Sequence, residues 1–167
     1  MKDEKIVKLN LGCGTDYREG FINVDNSPYI KTDIKFDLDK YPFPFKDNSI
    51  DYINCTAVIE HLKDMLKFME ETHRILKKGG KIRFRVPLAG TFVDYRDPTH
   101  KQHIIPNTFD MFMKKETRTI TTKAKFKGKL WVTIPFFHNL KFPKKLAFLN
   151  SVINNLFTGL EGILIKI

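Results

Sequence analysis

The sequence predicts an α/β fold built on a mostly parallel sheet. Three observations carry that reading. A short apolar strand, Ile6–Leu11, runs into a Gly12-Cys13-Gly14 turn. Three more strand-like runs follow before an amphipathic helix. That helix leads into Lys81–Val86 (KIRFRV), which alternates apolar and basic residues as a strand with one wet face does. The 167 residues suit one domain with a real hydrophobic core, spanning 1–167, with a ligand-binding half at 1–87 and a second half at 88–167.

The elements read in order as follows. After Ile6–Leu11 come strands at Phe21–Asp25, Ile34–Leu38 and Ser49–Asn54. Only Thr15–Gly20 separates the first two, whereas parallel neighbours usually need a dozen or more linking residues. The first crossover is therefore predicted to lack a full helix, leaving one sheet face thinly covered and inviting a second copy of the chain. Leu62, Met65, Leu66, Met69, Ile75 and Leu76 recur at three- and four-residue steps and form one helical stripe. Lys77-Lys78 suit the negative end of that helix dipole, and Gly79-Gly80 are expected to supply its left-handed cap. Leu88–Ile105 reads as a long loop, and Pro106–Lys114 as a short helix capped by Asn107 or Thr108. Arg118–Phe126 and Lys129–Phe136 read as strands joined by a Lys127-Gly128 turn. Pro143–Leu156 reads as an amphipathic helix, and Gly162–Ile167 as a final strand.

With 42% hydrophobic and 29% charged residues, the composition is that of a soluble globular protein. No window approaches the roughly 18 apolar residues of a membrane span. The charged start, Met1–Lys5, predicts no secretory signal. Cys13 and Cys55 lie in apolar runs outside any metal-ligand spacing, so two buried thiols in a reducing cytoplasm are expected. The net charge of +10 is concentrated at the back: residues 111–167 hold eleven Lys and Arg against Glu116 and Glu161. Either a solvated face or a surface for an anionic partner fits that asymmetry.

A glycine turn after the first strand lets a ligand approach the backbone closely. A dinucleotide is disfavoured, because the third glycine of G-x-G-x-x-G is missing and the acid arrives early, at Asp25. The motifs instead resemble class I S-adenosylmethionine-dependent methyltransferases of the methyltransferase type 11-like kind. VKLNLGCGTDYREGFINVD is similar to their first motif and second strand. DIKFDLDKYPFPFKDNSIDYINCTAVIEHLKD is similar to their adenine-binding loop, fourth strand and following turn. FMEETHRILKKGGKIRFRVP is similar to their next helix, paired glycines and fifth strand.

That resemblance implies a Rossmann-like sheet, mostly parallel with an antiparallel C-terminal strand and reduced helices on one face. It implies S-adenosylmethionine as cofactor and S-adenosylhomocysteine as product. Gly12, Cys13 and Gly14 would leave room for the methionine end, and Asn10 stands where the family commonly has an acid. Asp25 would accept from the ribose hydroxyls and Asp37 from the adenine amine, with Leu38 packed on the ring. Thr56 and Ala57 would line the sulfonium side, with Glu60 and His61 at the mouth. Asp16 replaces the third small residue of the loop, and the N-terminal lid helices of many relatives are not expected.

An oxygen acceptor would want a general base. Asp94, Asp97, His100 and His103 cluster in DYRDPTHKQHIIPNTF, which resembles a D-P-x-H segment bordering the active site in some small methyltransferases. His100 is the first candidate base and His103 the second, and no metal site is expected. A small-molecule or glycan acceptor is favoured. An RNA or protein acceptor using the basic tail and a non-catalytic cofactor-binding protein stay open. The tail mixes Lys129, Trp131, Lys141, Phe142, Lys144 and Lys145, which suits core packing, an anionic or lipid-linked acceptor, or a single-stranded nucleic acid. The expected location is the cytoplasm, with peripheral membrane contact as a variant, and a homodimer is the expected assembly.

Overall fold

The computed structural model describes residues 6–113, 122–134, 137–151 and 157–167. Strands β1 (Lys8–Leu11), β2 (Ile22–Asp25), β3 (Ile34–Lys35) and β4 (Ile50–Thr56) precede helix α1 (Met65–Ile75). There follow β5 (Leu76–Pro87), α2 (Phe92–Tyr95), α3 (Asp110–Met113), β6 (Phe126–Ile134), β7 (Phe137–Pro143) and β8 (Gly159–Lys166). They form one sheet in the order β3-β2-β1-β4-β5-β8-β6-β7. The first five strands pair in parallel. β8 inserts antiparallel between β5 and β6, and β7 runs antiparallel to β6 at the far edge.

The first crossover has no helix, as its length predicts. A row of buried asparagines holds it instead. Register places Asn23, Asn10 and Asn54 side by side on β2, β1 and β4. Asn10 Nδ2 donates to Asn23 Oδ1 at 3.1 Å and to the Asp16 carbonyl at 2.7 Å, and its Oδ1 accepts from Asn54 Nδ2 at 2.8 Å. Asn23 in turn accepts from the Arg18 N–H and donates to the Arg18 and Phe21 carbonyls. These amides satisfy loop groups that a helix would have satisfied internally.

Helix α1 forms where its stripe predicts. Asp64 caps it, accepting from the Lys67 N–H at 2.9 Å, and Met65, Phe68, Met69, Thr72 and Ile75 are buried. Phe68 meets Phe43 edge-on at 5.9 Å, and across the molecule Phe84 stacks on Phe109 at 4.2 Å.

Several expectations are corrected. The helix ends at Ile75, so Gly79-Gly80 are not its cap. They form a bulge in β5: between the pairs Ile50–Leu76 and Tyr52–Lys81, β4 advances two residues and β5 five. A Cβ on Gly80 would press on the Lys77 carbonyl oxygen. Lys127-Gly128 is not a turn either; it lies inside β6, paired with Ile165 and Leu164, where a side chain on Gly128 would overlap the Ile163 carbonyl. The expected loop at 88–105 contains α2. Pro106–Phe109 is a 3₁₀ turn entered from Ile105, and Thr108 Oγ1 accepts the Ile105 N–H at 3.2 Å. In the expected C-terminal helix, Lys144–Ser151 is 3₁₀. Residues 152–156 of that element, 114 of the expected short helix, 118–121 of the expected strand Arg118–Phe126 and 135–136 of the expected strand Lys129–Phe136 lie outside the described residues. No helix among the described residues is long and apolar enough to cross a membrane.

Candidate functional site

The site lies at the carboxyl ends of the parallel strands, where open α/β sheets bind ligands. The backbone leaves β1 through Gly12 (φ 62°), Cys13 and Gly14 (φ 49°). A side chain on Gly12 would overlap Val58 Cγ2, so the turn depends on its glycine twice, for conformation and for space. Gly14 N–H donates to Asp25 Oδ2 and Ser27 N–H to Asp25 Oδ1, both at 2.9 Å. The Asp25 carboxylate is thereby fixed at the end of β2 beside the glycine turn.

A cavity of about 370 Å³ opens there, within the roughly 300–1,000 Å³ of small-molecule sites. Gly12, Gly14, Asp25, Asp37, Leu38, Ala57 and His61 line it, so seven of the candidate site residues converge. Asn26, Phe36, Asp39, Val58, Leu62 and Lys101 also line it and were not singled out from sequence. Phe36 and Asp39 flank Asp37-Leu38, and Lys101 follows His100, so local extension of the motifs would have found them. Asp37 Oδ1 accepts the Asp39 N–H at 3.0 Å, which fixes this loop opposite the glycine turn.

A second cavity, of about 230 Å³, adjoins the first through Ala57. Thr56 and Glu60 line it, together with Arg85, Val86, Pro87, Val93, Thr158 and Gly159. Ala57 has φ 53°, unusual for a residue with a Cβ, at the point where both cavities meet.

Two cofactor candidates do not reach either cavity lining. Asn10 is consumed by the asparagine row. Cys13 is buried with its N–H on the Val24 carbonyl; burial, aided by Asp25, pushes its thiol up.

His100 and His103 line neither cavity. The His100 side chain is buried, with Nδ1 2.7 Å from the Asp94 carbonyl. His103 is half exposed, with Nδ1 2.9 Å from Oδ2 of buried Asp94. The His61 ring packs edge-on against His100 at 4.8 Å. Glu60 is 1% exposed, and burial pushes its carboxyl up to about 7, with its own backbone N–H and then His100 pulling the other way.

The fit of an adenosyl sulfonium can be read from these groups. A ribose diol needs a fixed acceptor, which Asp25 could supply, and the adenine edge needs an acceptor beside an apolar surface, which Asp37, Leu38 and Phe36 could supply. Gly12 and Gly14 put no side chain in the way of the methionine end, and Cys13 between them is buried.

Residues 9–84 match the family described as Methyltransferase domain. Over 85 residues the chain is 35% identical to a protein of Mycolicibacterium smegmatis named a probable S-adenosylmethionine-dependent methyltransferase, covering 50% of this chain and 32% of that protein. The chain spans about a third of the length of the curated relatives it matches. Among solved structures, a SAM dependent methyltransferase of Archaeoglobus fulgidus superposes with a TM-score of 0.68 at 17% identity, over 96% of this chain and 86% of that one. Phosphoethanolamine N-methyltransferase 2 of Haemonchus contortus, solved in complex with S-adenosyl-L-methionine, superposes at 0.65 and 17% identity, over 99% of this chain and 50% of that one. At such identities the likeness is one of fold: the mostly parallel sheet, antiparallel insertion and few helices are the class I methyltransferase Rossmann-like arrangement. Residues 9–84 are thus similar to the methyltransferase domain family, and the sheet carries the class I methyltransferase fold.

Proposed function

We propose that the chain binds S-adenosylmethionine in the 370 Å³ cavity and methylates a small-molecule or glycan acceptor seated in the adjoining 230 Å³ cavity. The observation that carries this reading is the Asp25 carboxylate, pinned by the Gly14 and Ser27 amides on the rim of a cleft that the glycine turn opens. When bound, the cofactor supplies a methyl group already activated by its sulfonium. The protein's share is then alignment and exclusion of water. Asp25, Asp37 and Leu38 orient the adenosine, and Ala57 lines both cavities. Glu60 and Thr56 face the acceptor there. Of the two candidate bases, the acceptor proton is assigned to His103, in the geometry of a base oriented by a buried carboxylate, while His100 is set beside Glu60 and His61.

Two tail lysines are committed internally, Lys141 to Glu161 at 3.0 Å and Lys144 to Asp110 at 2.8 Å. That use of charge favours a small acceptor over a nucleic-acid strand. The same reading treats 1–167 as one domain, takes the cytoplasm as its location, and has a second copy cover the helix-free side near Phe21 and Tyr52.

Calorimetry tests the reading. Wild type is expected to bind S-adenosylmethionine and S-adenosylhomocysteine at micromolar concentration. Asp25→Ala should weaken both by about 10–100-fold, the range for losing charge-assisted hydrogen bonds. No binding by a folded wild-type chain overturns the proposal.

A further inference from the structure

Glu60, His61 and His100 bring one carboxylate oxygen and one ring nitrogen each within 4.8 Å of one another. Three atoms that close surround a point no more than about 2.8 Å from each, and metal–ligand bonds to such atoms run about 2.0–2.2 Å. Small side-chain shifts would therefore bring all three to bonding distance.

The groups around the cluster orient its donors. His100 Nδ1 meets the Asp94 carbonyl, which can only accept, so Nδ1 carries the proton and Nε2 the lone pair. The Thr99 hydroxyl donates to Asp97 Oδ1 at 2.7 Å and so must accept from His61 Nδ1, 3.0 Å away. His61 Nε2 is then also a lone-pair donor. Fixing an imidazole tautomer through its other nitrogen is the usual outer shell of a metal-bound histidine. Among the described residues, no other residue hydrogen-bonds either Glu60 carboxylate oxygen, although the side chain is buried. A buried carboxylate left unpaired is costly, and a cation between it and the two imidazoles would offset that cost. Asp97 Oδ2, 3.9 Å from His100 Nε2, adds negative charge at the same place.

We propose that Glu60, His61 and His100 form a binding site for a divalent first-row transition cation. Two imidazoles and one carboxylate suit Mn²⁺, Fe²⁺, Co²⁺ or Zn²⁺ and leave open coordination positions. His61 lines the first cavity and Glu60 the second, so the ion stands where the two meet. Resting on the methyl-transfer reading above, an acceptor presenting a hydroxyl oxygen to those open positions is the substrate class this site selects.

The test is metal titration of the chelator-stripped chain without any acceptor. Co²⁺ is expected to bind one per chain with visible absorption bands, and Mn²⁺ to lose its free-ion resonance signal. Glu60→Gln, which keeps the side chain's shape, and His100→Ala should each weaken binding at least about tenfold. Circular dichroism and S-adenosylhomocysteine calorimetry on the same samples report folding. Should His100→Ala fail to fold, Glu60→Gln and His61→Ala carry the test. Absence of wild-type binding at millimolar cation, or binding indifferent to these variants, overturns the site. Cofactor binding without cation binding removes this proposal alone; cation binding without cofactor binding removes the methyl-transfer reading alone.

Discussion

Asn10 and Asn23, opposite one another on β1 and β2, share a 3.1 Å hydrogen bond that ties the sheet to a crossover without a helix. Asn10 also donates to the Asp16 carbonyl, so both of its N–H groups are spent on the protein. A carboxylate at this position has no proton to donate. Asn10→Asp is expected to cost about 2 kcal/mol in urea unfolding, the loss of one buried and one part-buried hydrogen bond, with no gain in S-adenosylmethionine affinity. Tighter cofactor binding by this variant would show that Asn10 faces the ligand after all.

Gly12 and Gly14 share a left-handed backbone but differ in their surroundings. An added Cβ overlaps Val58 at Gly12 and meets nothing within 4 Å at Gly14. Gly12→Ala should therefore cost about 2–4 kcal/mol, from strain plus overpacking, and Gly14→Ala about 1 kcal/mol from strain alone. Adding Val58→Ala to Gly12→Ala should return the packing part only. Denaturant midpoints of the four proteins check this ordering, and equal losses at the two glycines would contradict it.

Glu161 is buried on β8, held by Arg83 at 2.7 Å and Lys141 at 3.0 Å. Burial raises its carboxyl, but the hydrogen bonds and charges of Arg83 and Lys141 outweigh that and leave it below the usual range. A lowered folded value means stability that is present above the unfolded range and lost as pH falls through the folded value. Glu161→Gln should cost about 2 kcal/mol at pH 7, less than a fully buried pair because Arg83 is part-exposed. The difference should fade in acid, where the wild-type side chain is itself neutral. Unfolding midpoints that differ equally at neutral and acidic pH would refute the pairing.

What could be read from the sequence was local. The stripe through Met65, Met69 and Ile75 is a short-range pattern, and α1 follows it. The cofactor candidates Gly12, Gly14, Asp25, Asp37 and Leu38 come from compact motifs, and the structure gathers them around one cavity. Features set by register were hidden. Asn10, Asn23 and Asn54 meet only because three strands align, and nothing nearby in the chain announces it. Gly79-Gly80 and Gly128 read as punctuation because glycine usually is; here they accommodate a strand bulge and a close neighbouring backbone. His100 lies about forty residues from Glu60 and His61, so their cluster was not visible as a spacing.

Crystals of the chain grown with S-adenosylhomocysteine test the central claim most directly. The account predicts density in the cleft beside Gly12–Gly14, with the ribose hydroxyls on the Asp25 carboxylate and the adenine against Leu38. Ligand density elsewhere, with Asp25 still bound only to the Gly14 and Ser27 amides, would contradict it.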